Sequence, residues 1–270
     1  VRGAGVKIQP YPHNDLQALE EMIKQLRDKH ENVWIVTDGI FSMFGDSSRP
    51  KELASLLDKY ENVYLYIDDA HGMSWAGTNG TGHVMSQMKF HEKMFLAVSL
   101  NKAFGAGGGA LILPNNEVKT TLRRAGPSLV YSGPVQPSAL AAGIESAKIH
   151  LSPEITARQR KLKRNINHFI KTARDLDIKL ADWSQTPIFF LHIGETLPAG
   201  HLVWRLRDAG FFTNPGLYPA VGFKESGVRV SLTWHHSLDD ITRLLTTVKR
   251  LVPDVIRDFS EDNLSKIEAV

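Results

Sequence analysis

Ser99-Leu-Asn-Lys102-Ala-Phe-Gly-Ala-Gly-Gly-Gly109 places one lysine in a glycine-rich turn directly after the apolar run Met94-Phe-Leu-Ala-Val98. Upstream, a second apolar run, Val63-Tyr-Leu-Tyr-Ile67, ends in Asp68-Asp-Ala-His-Gly72. Both runs are short, rich in β-branched and aromatic residues, and bounded by turn formers, so they read as strands. Val33-Trp-Ile-Val36, closing on Thr37-Asp-Gly39, reads the same way. Gly109-Ala-Leu-Ile-Leu113 is expected to run back from the glycine turn, antiparallel to the strand before it. Between these runs lie helical patterns. Leu16, Leu19, Met22, Ile23 and Leu26 follow a 3.6 period behind Asn14 or Asp15 as N-cap. Pro50 opens a second helix through Leu53, Leu56 and Leu57.

Alternating strands and helices predict an α/β fold with a mixed, mostly parallel sheet flanked by helices. Ligands bind such sheets at the carboxyl ends of the strands. Asp68 and the Ser99–Lys102 turn both occupy that position. After Tyr131-Ser132-Gly133-Pro134 a long helical region covers Pro137 to His150 and then Pro153 to Asp175, with Pro153 following the N-cap Ser152. Strand Ile188–Ile193, helix His201–Ala209 closed by Gly210, strand Val228–Leu232 and a Ser237-capped helix through Val248 then predict a small C-terminal α/β domain. The expected division is residues 1–150 and residues 151–270.

The 270 residues are 42% hydrophobic and 23% charged, an ordinary globular composition. The 32 basic and 29 acidic residues are interspersed, which argues against a nucleic-acid partner. No cysteine is present, excluding disulfides, thiolate zinc sites and thiol catalysis, and cytoplasmic placement is expected. No membrane span is expected, since no apolar stretch approaches the necessary length. No G-x-S-x-G elbow occurs. Gly107-Gly-Gly109 lacks the spacing of a dinucleotide fingerprint. His235-His236 has no apparent third ligand, and adjacent side chains diverge, so no metal site is expected.

A lysine, an acid pair and small residues at strand ends are what pyridoxal 5'-phosphate requires. The lysine forms the Schiff base, a carboxylate keeps the pyridine nitrogen protonated, and glycines admit the cofactor. Imine formation needs a neutral, buried amine, and the tight turn is expected to supply that setting. Alternation sends neighbouring strand residues to opposite faces, so only one of Asp68 and Asp69 can face the ring.

Thr37-Asp-Gly-Ile-Phe-Ser-Met-Phe-Gly-Asp46, Asp68-Asp-Ala-His-Gly72, Ser99-Leu-Asn-Lys-Ala-Phe-Gly105 and Val228-Arg-Val-Ser-Leu-Thr-Trp-His-His236 stand in order. Together they resemble the α-oxoamine synthases, fold-type I enzymes dependent on pyridoxal phosphate, similar to class II aminotransferases. The resemblance implies an enzyme that condenses an amino acid with an acyl-CoA and releases carbon dioxide to give an α-amino ketone. It implies Lys102 as the Schiff-base lysine and general base, Asp68 at the pyridine nitrogen, and His71 and Ser42 at the phenolic oxygen. It implies Ser99 at the phosphate, Ser132 and Gly133 at the phosphate of a neighbouring subunit in a homodimer with shared sites, and Arg229 at the substrate carboxylate. Asp69 is expected to cap a helix or support the site from behind. Ala103 to Pro114 lacks the phosphate-gripping arginine of ordinary class I aminotransferases, and Asn101 stands where the synthases have glycine. An aminotransferase, a lyase, or a non-catalytic subunit are the alternatives. Residues 1–150 are expected to be the C-terminal part of a larger cofactor domain, and the chain alone is expected to hold the cofactor weakly.

Overall fold

The computed structural model describes residues 5–259. Residues 1–4 and 260–270 lie outside the described residues, and with them the start of the chain. Contacts divide the described residues into two units, 5–40 with 47–152, and 41–46 with 153–259.

In the first unit, β1 (Val33–Asp38), β2 (Val63–Asp68) and β3 (Met94–Ser99) are parallel, and β4 (Gly109–Ile112) pairs antiparallel with β3, in the order β1-β2-β3-β4. This is the mixed sheet expected of the sequence, with the reversed fourth strand. α1 (Leu16–Leu26) starts at Asp15, whose Oδ1 accepts the Ala18 N–H at 2.9 Å. α2 (Pro50–Lys59) starts at proline, where no helical N–H is lost. Leu19 and Ile23 of α1 and Leu53, Leu56 and Leu57 of α2 share a core with Ile35, Val63, Leu65, Ile67, Met94, Leu96 and Val98. Those strand residues alternate along each strand, so they line one face of the sheet. The intervening residues put Trp34, Tyr64 and Phe95 on the other face. There Trp34 stacks on Tyr64 at 5.0 Å and meets Phe95 edge-on at 4.8 Å. The short α3 (His83–Gln87) follows β2, and α4 (Asn116–Ala125), α5 (Pro127–Val130) and α6 (Pro137–His150) follow β4.

The second unit holds α7 (Pro153–Asp175), β5 (Ile188–Gly194), α8 (Thr196–Asp208), β6 (Asn214–Gly216), β7 (Ser226–Ser231) and α9 (Leu238–Asp258). Its antiparallel sheet has the order β5-β7-β6. Phe169 of α7 stacks on Phe189 of β5 at 4.0 Å. α9 opens with a capping box in which Ser237 and Asp240 each satisfy the other's backbone N–H. α8 begins before the expected His201. Pro198 reads as a breaker, yet it sits in the first turn, where a missing N–H costs nothing. The sequence reading missed β6. Its Asn-Pro-Gly is tolerated because β6 lies at a sheet edge. Residues 41–46 join this unit through Gly45. That glycine has φ of +78°, a Cβ there would overlap the Ile188 carbonyl, and its own carbonyl accepts the Thr186 hydroxyl at 2.7 Å. No helix among the described residues is long and apolar enough to cross a membrane.

Candidate active site

The carboxyl ends of β2 and β3 carry the first group of candidate residues. Asp69 N–H donates to the Ala97 carbonyl at 2.8 Å, extending the ladder one residue past β2. The chain then turns sharply. Asp68 Oδ1 accepts the Ala70 N–H at 2.8 Å, the local side-chain bond typical of aspartate turns. The Asp69 carbonyl accepts the N–H groups of Gly72 and Met73 at 2.9 and 3.0 Å. Asp68 is half-buried on the face shared with Tyr64 and Tyr66, whereas Asp69 is fully buried toward the core. Tyr66 is pushed above the usual phenol range by burial and, less, by the Asp68 charge. Asp69 Oδ2 accepts the Val84 N–H at 2.9 Å at the start of α3, the capping role expected of the second acid.

The turn presents His71, whose carbonyl is held by the Trp75 indole N–H at 2.6 Å. His71 Nε2 lies 2.9 Å from Lys102 Nζ. At that distance one nitrogen donates a hydrogen and the other accepts it, so a proton can pass between them. Lys102 rides on a loop closed by Leu100 N–H to Gly108 O at 2.9 Å and Ala106 N–H to Leu100 O at 2.7 Å. Behind the loop, Ser146 Oγ donates to Phe104 O at 2.5 Å, and the His150 ring packs on Phe104 at 4.7 Å. Ser146 and His150 were not anticipated. They lie on α6, far along the sequence, and nothing local links them to the lysine loop. One expectation is corrected: Lys102 is exposed, not buried, because β4 beside it is exposed along its whole length.

Ser99 is half-buried, and its hydroxyl donates to Asn101 Oδ1. The asparagine that departs from the expected glycine therefore engages the serine expected at a phosphate. Ser132 and Gly133 lie on an exposed segment, with Ser132 Oγ donating to Leu129 O at 3.4 Å.

Ser42 and Arg229 come together in the second unit. Arg229 Nε donates to the Ser42 carbonyl at 2.7 Å, and Nη1 donates to Ser231 Oγ at 2.9 Å. Ser42 contributes its backbone here, not the hydroxyl singled out from sequence. Arg229 is half-buried, and desolvation pulls its guanidinium below the ordinary arginine range.

The family model for aminotransferase class I and II matches residues 1–248. The 8-amino-7-oxononanoate synthase of Thermoanaerobacter pseudethanolicus is 31% identical over 242 residues, covering 89% of this chain and 60% of the relative. The serine palmitoyltransferase of Bacteriovorax stolpii is 31% identical over 235 residues, covering 87% of this chain and 55% of the relative. Among solved structures, serine palmitoyltransferase from S. paucimobilis superposes with a TM-score of 0.82 at 20% identity, covering 90% of this chain and 60% of that one. The 8-amino-7-oxononanoate synthase of Francisella tularensis gives 0.77 at 22% identity, covering 94% and 71%. The chain thus spans about 60% of the length of the curated relatives it matches. The shared fold bears out the expected fold-type I architecture, and the relatives bear out the resemblance to α-oxoamine synthases. With its sheet, its strand-end lysine and its motifs in register over nearly the whole sequence, the chain belongs to the aminotransferase class I and II family.

Proposed function

We propose that the protein is a pyridoxal-phosphate-dependent acyltransferase that joins an amino acid to an acyl thioester. The α-carbon bonds to the acyl carbonyl, the thioester C–S bond breaks to release the thiol, and the amino-acid carboxylate leaves as carbon dioxide. The observation that carries the reading is the Lys102 amine against the His71 imidazole at 2.9 Å, beside Asp68 at the carboxyl ends of adjacent parallel strands. An amine, an imidazole, a carboxylate and a hydroxyl on one sheet edge are a donor set that fits this cofactor. When bound, pyridoxal phosphate supplies an electron sink for a negative charge at the α-carbon.

Lys102 would hold the cofactor, and its amine would serve as the base for the α-proton. His71 accepts that proton from Nζ or returns it, because its Nε2 already shares a hydrogen with the amine. Asp68 would keep a positive charge on the ring nitrogen. Ser99 serves the phosphate, and Ser42 the phenolic oxygen. Arg229 receives the substrate carboxylate with its half-buried guanidinium fork. Ser132 and Gly133 serve the site of a second copy in a homodimer, a reading supported by their exposure. Residues 1–150 act as part of the cofactor domain and 151–270 as the small domain, in a cytoplasmic enzyme.

The test is borohydride reduction after incubation with pyridoxal phosphate, followed by peptide mapping, with Lys102→Ala as control. Label on Lys102, together with carbon dioxide and free CoA from amino acid plus acyl-CoA, is the expected result. Label without CoA release would replace this reading with an aminotransferase or lyase. No label on Lys102 would overturn it in favour of a non-catalytic subunit.

A further inference from the structure

Asp69 is a buried carboxylate that the proposed chemistry does not use. Its side chain is wholly enclosed. Gly39 after β1, Gly72 in the turn and Gly82 before α3 surround it so closely that a Cβ on any of the three would overlap the carboxyl group. Oδ2 takes the Val84 N–H at 2.9 Å, while Oδ1 has no hydrogen-bond partner. The backbone of the same residue binds Ala97 of β3 and the Gly72 and Met73 N–H groups that close the turn. One residue therefore joins the ends of β1, β2 and β3 to the start of α3, directly between Asp68 and His71 in sequence.

We propose that Asp69 is a positioning residue, whose carboxyl group, seated among the three glycines, fixes the turn that aims Asp68 outward and sets His71 against Lys102. The inference rests on the roles given to Asp68, His71 and Lys102 above. The geometry supplies the reason. At the end of a strand, an inward anchor at one residue dictates the outward direction of its neighbour. Removing the carboxyl group leaves a void lined by three glycines, and glycines resist a change of turn least of all residues. Burial pushes the Asp69 carboxyl up to about 7, against the hydrogen bonds from Val84 and His83 and with a smaller push from the Asp68 charge. The titratable groups on the elements packed round it are Asp38 on β1, Asp68 and His71 on the turn, and His83 on α3, itself pushed down by burial.

Trp75 reports the turn because its indole is bonded to the His71 carbonyl. The experiment uses protein labelled with 5-fluorotryptophan, the Trp75 resonance being assigned with Trp75→Phe, and reads two quantities: the pH course of that resonance without cofactor, and the rate of borohydride-fixed pyridoxal phosphate on Lys102. The native resonance is expected to step with a midpoint near 7. Asp69→Asn, which keeps the shape and the cap, is expected to lose the step and keep the capture rate within about threefold, since a neutral isostere still accepts the Val84 N–H. Asp69→Ala is expected to displace the resonance at every pH and to slow capture at least about tenfold, the scale of a lost buried polar anchor. Native capture or an undisplaced Trp75 resonance in Asp69→Ala, or capture in Asp69→Asn slowed as far as in Asp69→Ala, would each overturn the inference. If Asp69→Ala does not fold, Asp69→Asn decides alone. If the native protein never labels Lys102, the proposed function falls, and the Trp75 resonance still judges Asp69.

Discussion

Asn101 shows how one side chain can set the readiness of a neighbour. Its amide oxygen takes the Ser99 hydroxyl hydrogen, so Ser99 must give up that bond before it donates to an anion. Asn101→Ala is expected to free that donor. A hydrogen bond to a charged acceptor is worth on the order of 1 kcal/mol net or more, so pyridoxal phosphate should bind about fivefold tighter. Fluorescence titration checks this, and unchanged affinity would show that Ser99 does not meet the phosphate. Lys102 and His71 could be singled out at this scale because each stands in a short motif. Asn101 was visible as a departure, but its cause was not, since a side-chain bond across a turn leaves no pattern in the letters.

At the scale of elements, strand periodicity was easy to read. Val63, Leu65 and Ile67 alternate with Tyr64, Tyr66 and Asp68, so only one acid of the pair can face out, and the structure turns Asp68 outward and buries Asp69. Helix starts were readable where a cap residue stood, as at Asp15 and Ser237, and were misread where proline lay inside the first turn, as at Pro198 of α8. The capping box of α9 carries a specific expectation. Ser237→Ala removes one side of the reciprocal pair and should lower stability by about 1 kcal/mol, measured by urea unfolding. A change below about 0.2 kcal/mol would mean that water replaces the cap without loss.

For the whole molecule, the buried Asp69 makes stability depend on pH in the direction opposite to a salt-bridged aspartate. Its folded value of about 7 lies above the ordinary 3.8, so between these the folded state binds more protons than the unfolded one. Stability therefore falls as pH rises through that window, and the full penalty is present above about 7. Asp69→Asn carries no such penalty. Its unfolding free energy relative to native should rise from pH 5 to pH 8, by on the order of 2 kcal/mol from the linkage relation. Urea melts at the two pH values check the sign, and a constant or falling difference would show that Asp69 stays ionised throughout.

The sequence by itself determined the sheet, the reversed β4, and the strand-end placement of Asp68 and Lys102. These follow from periodicity, turn chemistry and short motifs, all of which act over a few residues. Only the tertiary structure decided that His71 touches Lys102, that Ser146 of α6 holds the lysine loop, that Arg229 grips the Ser42 backbone, and that Asp69 sits among Gly39, Gly72 and Gly82. Each of these depends on groups distant in sequence meeting at hydrogen-bond or van der Waals distance. Such meetings are fixed by how buried faces pack, which no local pattern encodes.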